Sequence, residues 1–177
     1  AILGGRNALT LEFDFAIATN ASGDNTLLSY AVTGQSNEVT VNIEPDGTIE
    51  FDIESVTVQT SSAYTQLLDG NRHQIAITWD QATGDGAFYV DGAWVESFSG
   101  FRTGATLNGG GTLVLGQEQD SVGGGFSAGQ RFSGTLYDVR VFGDVRTGQE
   151  IASGRLAILP YDDLDEALRI VRKSDGR

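Results

Sequence analysis

From Ala8 onward the sequence alternates apolar and polar residues with a period of two. Leu9, Leu11, Phe13, Phe15 and Ile17 fall on one side, and Thr10, Glu12, Asp14 and Ala16 mostly on the other. Only an extended strand sends successive side chains to opposite faces, so the pattern predicts a half-buried β-strand. The same period returns in Val39, Val41 and Ile43 and in Ile49, Phe51 and Ile53, with Pro45-Asp46-Gly47 between them as a hairpin signal. It returns again in His73, Ile75, Ile77 and Trp79, followed by Ala87-Phe88-Tyr89-Val90 and a tight turn at Asp91-Gly92. With 24 Gly and only 2 Pro, the turns between these stretches fall to Gly, Asn and Asp. Many short strands with turn signals roughly every 8–12 residues predict an all-β fold, an antiparallel jelly-roll sandwich.

Two stretches read as helical, a short one at Thr147 to Ser153 and a longer one at Asp162 to Lys173. In the second, Asp162, Asp163, Asp165 and Glu166 crowd the first turns and Arg169, Arg172 and Lys173 the last, as the helix dipole favours. Leu164, Leu168 and Val171 give it a narrow apolar stripe. The 177 residues suit one sandwich domain over 1–155, followed by a helical tail, 156–177, that packs back on it or leads into a next domain. Ala1-Ile2-Leu3 carries neither Met nor a charged leader, so the chain is expected to be a processed piece of something longer.

The formal net charge is −13, and Lys173 is the single lysine. Such a surface repels phosphate backbones and anionic membranes and attracts cations, which argues against nucleic acid as a partner. No run approaches the roughly 18 apolar residues of a membrane span, so membrane insertion is not expected. Without Cys there is no disulfide, thiolate metal site or iron–sulfur cluster.

The stretch Leu113-Val114-Leu115-Gly116-Gln117-Glu118-Gln119-Asp120-Ser121-Val122-Gly123-Gly124-Gly125-Phe126, continuing to Gln130, Phe132, Ser133 and Gly134, carries the most specific chemistry. A strand here delivers Glu118 and Asp120 to a Gly-rich loop. Hard carboxylate and amide oxygens gathered in this way suit a calcium ion, which takes about 6–8 oxygens at roughly 2.3–2.6 Å. The run closely resembles the calcium loop of the pentraxins. Leu28-Ser29-Tyr30-Ala31-Val32-Thr33-Gly34-Gln35-Ser36-Asn37-Glu38-Val39 is similar to the strand and turn that approach the same ions in that family. Carried over residue by residue, the resemblance implies Asn37, Glu118, the Gln119 carbonyl and Asp120 for one Ca2+, with Glu118, Asp120 and Gln130 for a second. An Asp-Asn pair of the family reads Ser36-Asn37 here, and a later acidic ligand is replaced by Ser127. Fewer carboxylates imply weaker binding than the family norm, most of all for the second ion.

Asp69 to Asp80, Phe88 to Gly92 and Phe132 to Phe142 resemble strands of the wider laminin-G-like, concanavalin-like group, so the likeness covers about Ala8 to Ser153. The family's disulfide is missing, which implies a bacterial-style relative. The resemblance implies a non-catalytic, calcium-dependent recognition module, secreted or at the cell surface and part of a larger protein. Its expected ligand is carbohydrate or another oxygen-rich molecule, such as a phosphate-bearing group or a protein carboxylate, and oligomer formation is left open.

Two other readings stand beside this one. Glu50-Phe51-Asp52-Ile53-Glu54 places Glu50, Asp52 and Glu54 on one face of a strand, as in jelly-roll glycoside hydrolases, where Glu50 and Glu54 would serve as nucleophile and acid. The third reading is a purely structural spacer. His73, the single histidine, is expected to pack or hydrogen-bond at a strand start rather than to catalyse. Trp79 is expected in the core, and Trp94, just past a hairpin, on the surface. Asn20-Ala21-Ser22 fits a glycosylation acceptor.

Overall fold

Each alternating stretch is a strand in the computed structural model, which describes residues 3–158. The strands are β1 (Ala8–Ile17), β2 (Asn25–Val32), β3 (Gln35–Ile43), β4 (Ile49–Ile53), β5 (Val56–Gln59), β6 (His73–Asp80), β7 (Gly86–Val90), β8 (Ala93–Phe98), β9 (Thr112–Leu115) and β10 (Gly134–Phe142). They form two five-stranded antiparallel sheets, ordered β10-β1-β6-β7-β8 and β5-β4-β3-β2-β9. The expected jelly-roll sandwich is therefore the fold. Between the sheets lie the apolar halves of the alternation, among them Leu11, Phe13, Val41, Phe51, Ile77 and Trp79, all at most 1% exposed. Phe51, Phe98 and Phe101 meet with ring centroids 5.6–6.5 Å apart, and Trp79 Nε1 donates to the Phe101 carbonyl at 2.9 Å. The indole is thus both core filler and polar link, as expected for Trp79, while Trp94 stays 60% exposed.

β1 departs from the half-buried pattern, because Thr10, Glu12 and Asp14 on its polar face are buried as well. The segment after β10 folds back over that face. Thr10 Oγ1 donates to the Asp144 carbonyl and accepts from the Arg146 amide. Asp14 binds the Arg72 guanidinium, which lies 4.5 Å from the Tyr137 ring centroid. Glu12 sits 3.8–3.9 Å from Arg146 and Arg140, and burial raises its pKa despite them. Alternation reports that one face is apolar. It does not report that the other is roofed.

The roof is α1 (Gly148–Ile158). It opens with a capping box in which the Thr147 amide donates to Glu150 Oε2 at 2.8 Å and the Glu150 amide donates to Thr147 Oγ1 at 3.3 Å. Ile151 packs on Ala76 and Tyr89, on the outer face of the β1–β6–β7 region. The helix continues past the expected end at Ser153, through Gly154, to Ile158. The expected helix at Asp162 to Lys173 lies outside the described residues.

Candidate functional site

The site is built on the outer face of the β5-β4-β3-β2-β9 sheet. Two irregularities position it. Between Tyr30 and Val32 the partners in β3 move from Val39 to Gln35, so Ser36, Asn37 and Glu38 together face Ala31. Within the bulge the strict alternation breaks. Glu38 turns inward, fully buried, and accepts from the Asn108 side chain and backbone, while Asn37 faces the loop that follows β9.

That loop is held by Gln119. Its fully buried side chain donates to the Ser29 carbonyl and Oγ and to the Thr112 carbonyl at 3.0–3.1 Å, and accepts from the Gly123 amide at 2.7 Å. The amide nitrogen and oxygen are thereby both engaged inside the protein, and the backbone Gln119 carbonyl is the atom that the resemblance offers to a cation. Reciprocal backbone bonds between Ser121 and Gly124 tighten the tip. Gly125 makes the next turn at φ +76°, with the position of a Cβ only 2.6 Å from Asp120 Cβ.

These constraints bring Asn37 and Glu118 together. One atom of the Asn37 amide lies 2.8 Å from Glu118 Oε1. With nitrogen toward the carboxylate it donates a hydrogen bond; with oxygen toward it, two acceptors face each other, which a cation between them or a proton on Glu118 would stabilise. Glu118 is 2% exposed, and its Oε2 is buried without a hydrogen-bond partner. Burial raises its pKa, and the charges of Asp120 and Asp52 add to that rise. Asp120 is exposed at the loop edge. Gln130 ends the short 3₁₀ turn Ala128–Gln130, and a bridge between Gln117 and Arg131 brings it alongside Glu118. Next to these residues an open cleft of about 410 Å³ runs between Gly34-Gln35-Ser36 and Asp120-Ser121-Val122.

Among the described residues no group of three or more His, Asp or Glu side chains converges as a metal centre. The donor set is nevertheless an all-oxygen one, two carboxylates with amide and carbonyl oxygens, and it contains an orphaned carboxylate oxygen. That chemistry fits calcium and fits no softer metal.

The three carboxylates of β4 do not share a face. Glu50 accepts from Asn42 Nδ2 at 3.1 Å and Asp52 from Thr57 Oγ1 at 2.5 Å, but Glu54 has left the strand. It occupies the β4–β5 turn at φ 50° and pairs with Arg102. The arrangement expected for a hydrolase is therefore absent, because a two-residue turn begins at the residue that should complete it. His73 hydrogen-bonds through Nδ1 to Asp91 at 2.8 Å and through Nε2 to Asp69 at 3.2 Å, a structural clamp as expected. Arg155 of α1 reaches the same Asp91 at 3.3 Å.

A second acidic region went unnoticed in the sequence. Glu44, Asp46 and Glu50 line an open cleft at the far end of the same sheet, and burial with the Asp24 charge pushes the Glu44 carboxyl up to about 7. Glu44 and Asp46 lie in the connection between β3 and β4 and Glu50 on β4, so a single hairpin brings the three together.

A family model described as the Pentaxin family matches residues 6–158. Human pentraxin-4 is 34% identical over 146 residues, covering 81% of this chain and 30% of that protein. C-reactive protein 1.1 of Limulus polyphemus is 30% identical over 144 residues, 81% of this chain and 59% of that protein. The chain thus spans less than two thirds of these relatives. A crystal structure of a native heptameric SAP-like pentraxin from Limulus polyphemus superposes with a TM-score of 0.72 at 23% identity, over 86% of this chain and 71% of that one.

Proposed function

The chain belongs to the pentaxin family, whose members are non-enzymatic recognition proteins, and from that membership we propose that it is a calcium-dependent binding module acting outside the cell. In this reading Asn37, Glu118, Asp120 and the Gln119 carbonyl hold one calcium ion, and Gln130 joins Glu118 and Asp120 around a second. The cation would supply open coordination positions for a ligand; the residues themselves position it. Glu118 comes from the segment after β9 and Asn37 from the β3 bulge, and Gln119 locks the two together. The adjoining cleft leaves room for an oxygen-rich ligand, of which carbohydrate hydroxyls are the class we favour.

One observation carries this reading: the Asn37 amide at 2.8 Å from Glu118 Oε1, beside a buried carboxylate oxygen with no partner. With the amide nitrogen toward Oε1 that contact is a hydrogen bond, but Glu118 Oε2 stays buried without a partner, and a hard cation would satisfy it. Titration calorimetry with calcium tests it. Saturable binding that disappears in Asp120→Ala is expected, with the stoichiometry reporting one ion or two. Heat of dilution alone at millimolar calcium would reduce the chain to an acidic β-scaffold. Among the described residues no helix is long and apolar enough to cross a membrane.

A further inference from the structure

This inference rests on the calcium reading above and adds a residue to it. Ser29, Thr40, Asp52 and Thr57 are successive partners across β2, β3, β4 and β5, so they form one row on the outer face of the sheet. Gln119 Nε2 donates to Ser29 Oγ at the end of that row, which lays its neighbour Glu118 over the same face. Thr40 Oγ1 and Glu118 Oε2 are both buried without partners there. Asp52 is 5% exposed, and Thr57 is its hydrogen-bond partner among the described residues, engaging only Oδ1. Burial and Asp120 raise the Glu118 pKa most, and Asp52 adds a smaller push in the same direction.

We propose that Asp52 is a charge-supplying residue beside the calcium site, a buried carboxylate on β4 that does not ligate the ion and that offsets the serine at position 36. Glu118 and Asp120 would only just neutralise a divalent ion, and Asp120 is exposed, so water screens it. Asp52 is buried, and a buried charge is screened far less. The E-x-D-x-E pattern of β4 thereby has a use unrelated to hydrolysis: its middle carboxylate serves a cation bound by other strands.

The test compares calcium titrations of the parent chain, Asp52→Asn and Glu50→Gln. Both substitutions remove one charge from the same strand, but Glu50 is turned to Asn42 at the far end. Asp52→Asn is expected to weaken calcium binding by roughly ten-fold and Glu50→Gln by less than about two-fold. Terbium(III), followed by its luminescence, separates charge from mere packing. An electrostatic loss scales with the charge of the ion, so Asp52→Asn should cost terbium roughly thirty-fold. Unchanged calcium affinity in Asp52→Asn, equal losses for the two ions, or equal losses in the two variants would each overturn the assignment. Should Asp52→Asn fail to fold, Asp52→Ser carries the same comparison. A parent chain that binds no calcium defeats the calcium reading itself, an outcome distinct from a parent that binds and an Asp52 variant that binds equally well.

Discussion

The Asn37 amide and the Glu118 carboxylate stand 2.8 Å apart, although the first belongs to a bulge in β3 and the second to the loop after β9. Their contact sets up opposite responses in the two metal states. Asn37→Asp replaces a donor by a second carboxylate beside a buried one, so the calcium-free protein should lose about 1–3 kcal/mol of stability. The same change adds a hard ligand, so calcium affinity should rise about ten-fold. Thermal melts with and without calcium check both: the gap between the two melting temperatures should widen relative to the parent.

Gly125 is where the loop is least tolerant. A Cβ there meets Asp120 Cβ at 2.6 Å, and the backbone sits at φ +76°. Gly125→Ala should displace Asp120 and abolish most calcium binding while costing the sandwich only about 1–2 kcal/mol. Calorimetry paired with chemical denaturation distinguishes this from general unfolding.

Ser121 to Gly123 and Gly125 to Gly129 are exposed. Such a segment opens locally at little cost, and a cation tied to Glu118 and Asp120 would close it. Limited proteolysis should therefore nick the chain between Ser121 and Gly129 when calcium is chelated and spare it when calcium is present. Mass spectrometry of the fragments reads the result.

Acidity should act in opposite directions on stability and on binding. Burial pushes Asp52 up to about 6 and Glu44 to about 7, and raises Glu118. For a carboxyl raised on folding, the stabilising contribution is complete below its unfolded value and is lost as pH climbs through the folded one. His73, held up mainly by its hydrogen bond to Asp91, loses its contribution in the same direction. The aspartates lowered on folding, Asp69 and Asp91, lose theirs only at more acidic pH. Calcium-free protein should thus melt at a higher temperature near about pH 5 than near about pH 8. Calcium affinity should fall over the same descent, since protons compete for Glu118. Scanning fluorimetry and calorimetry across this range are the measurements.

The β4–β5 turn offers a stabilising change. Glu54 and Ser55 fill both central positions at φ 50° and 58°, where a β-carbon is disfavoured. Ser55→Gly should raise the urea midpoint by an amount equivalent to roughly 1 kcal/mol, with an unchanged slope.

Strands were legible in the sequence because period two is a property of single chains: Leu9 to Ile17 or Val39 to Ile43 need no neighbours to declare themselves. The candidate ligands were legible through a resemblance, since Glu118, Gln119 and Asp120 stand in one run. What decided their geometry was not. By alternation Asn37 shares a face with Val39, and only the three-against-one bulge opposite Ala31 turns it outward. Gln119 offered a carbonyl as a ligand, yet its side chain proved to be the anchor, through Ser29 and Thr112, partners distant in sequence. Glu54 was misplaced because nothing local says that a turn starts at Glu54 rather than one residue later. Burial of Glu12 depended on Arg140, Arg146 and α1, which arrive more than a hundred residues downstream, and that of Asp14 on Arg72.

α1 rests on the outer face of one sheet, held through Ile151 and the Arg155–Asp91 pair, whereas Asn37 and Glu118 occupy the outer face of the other. α1 and the Asn37–Glu118 pair therefore lie on opposite outer faces of the sandwich. A fluorophore or immobilising tag fixed to α1 would stand a full sandwich thickness away from Asn37 and Glu118, so the domain could be tethered to a sensor surface with that face still open to the solution.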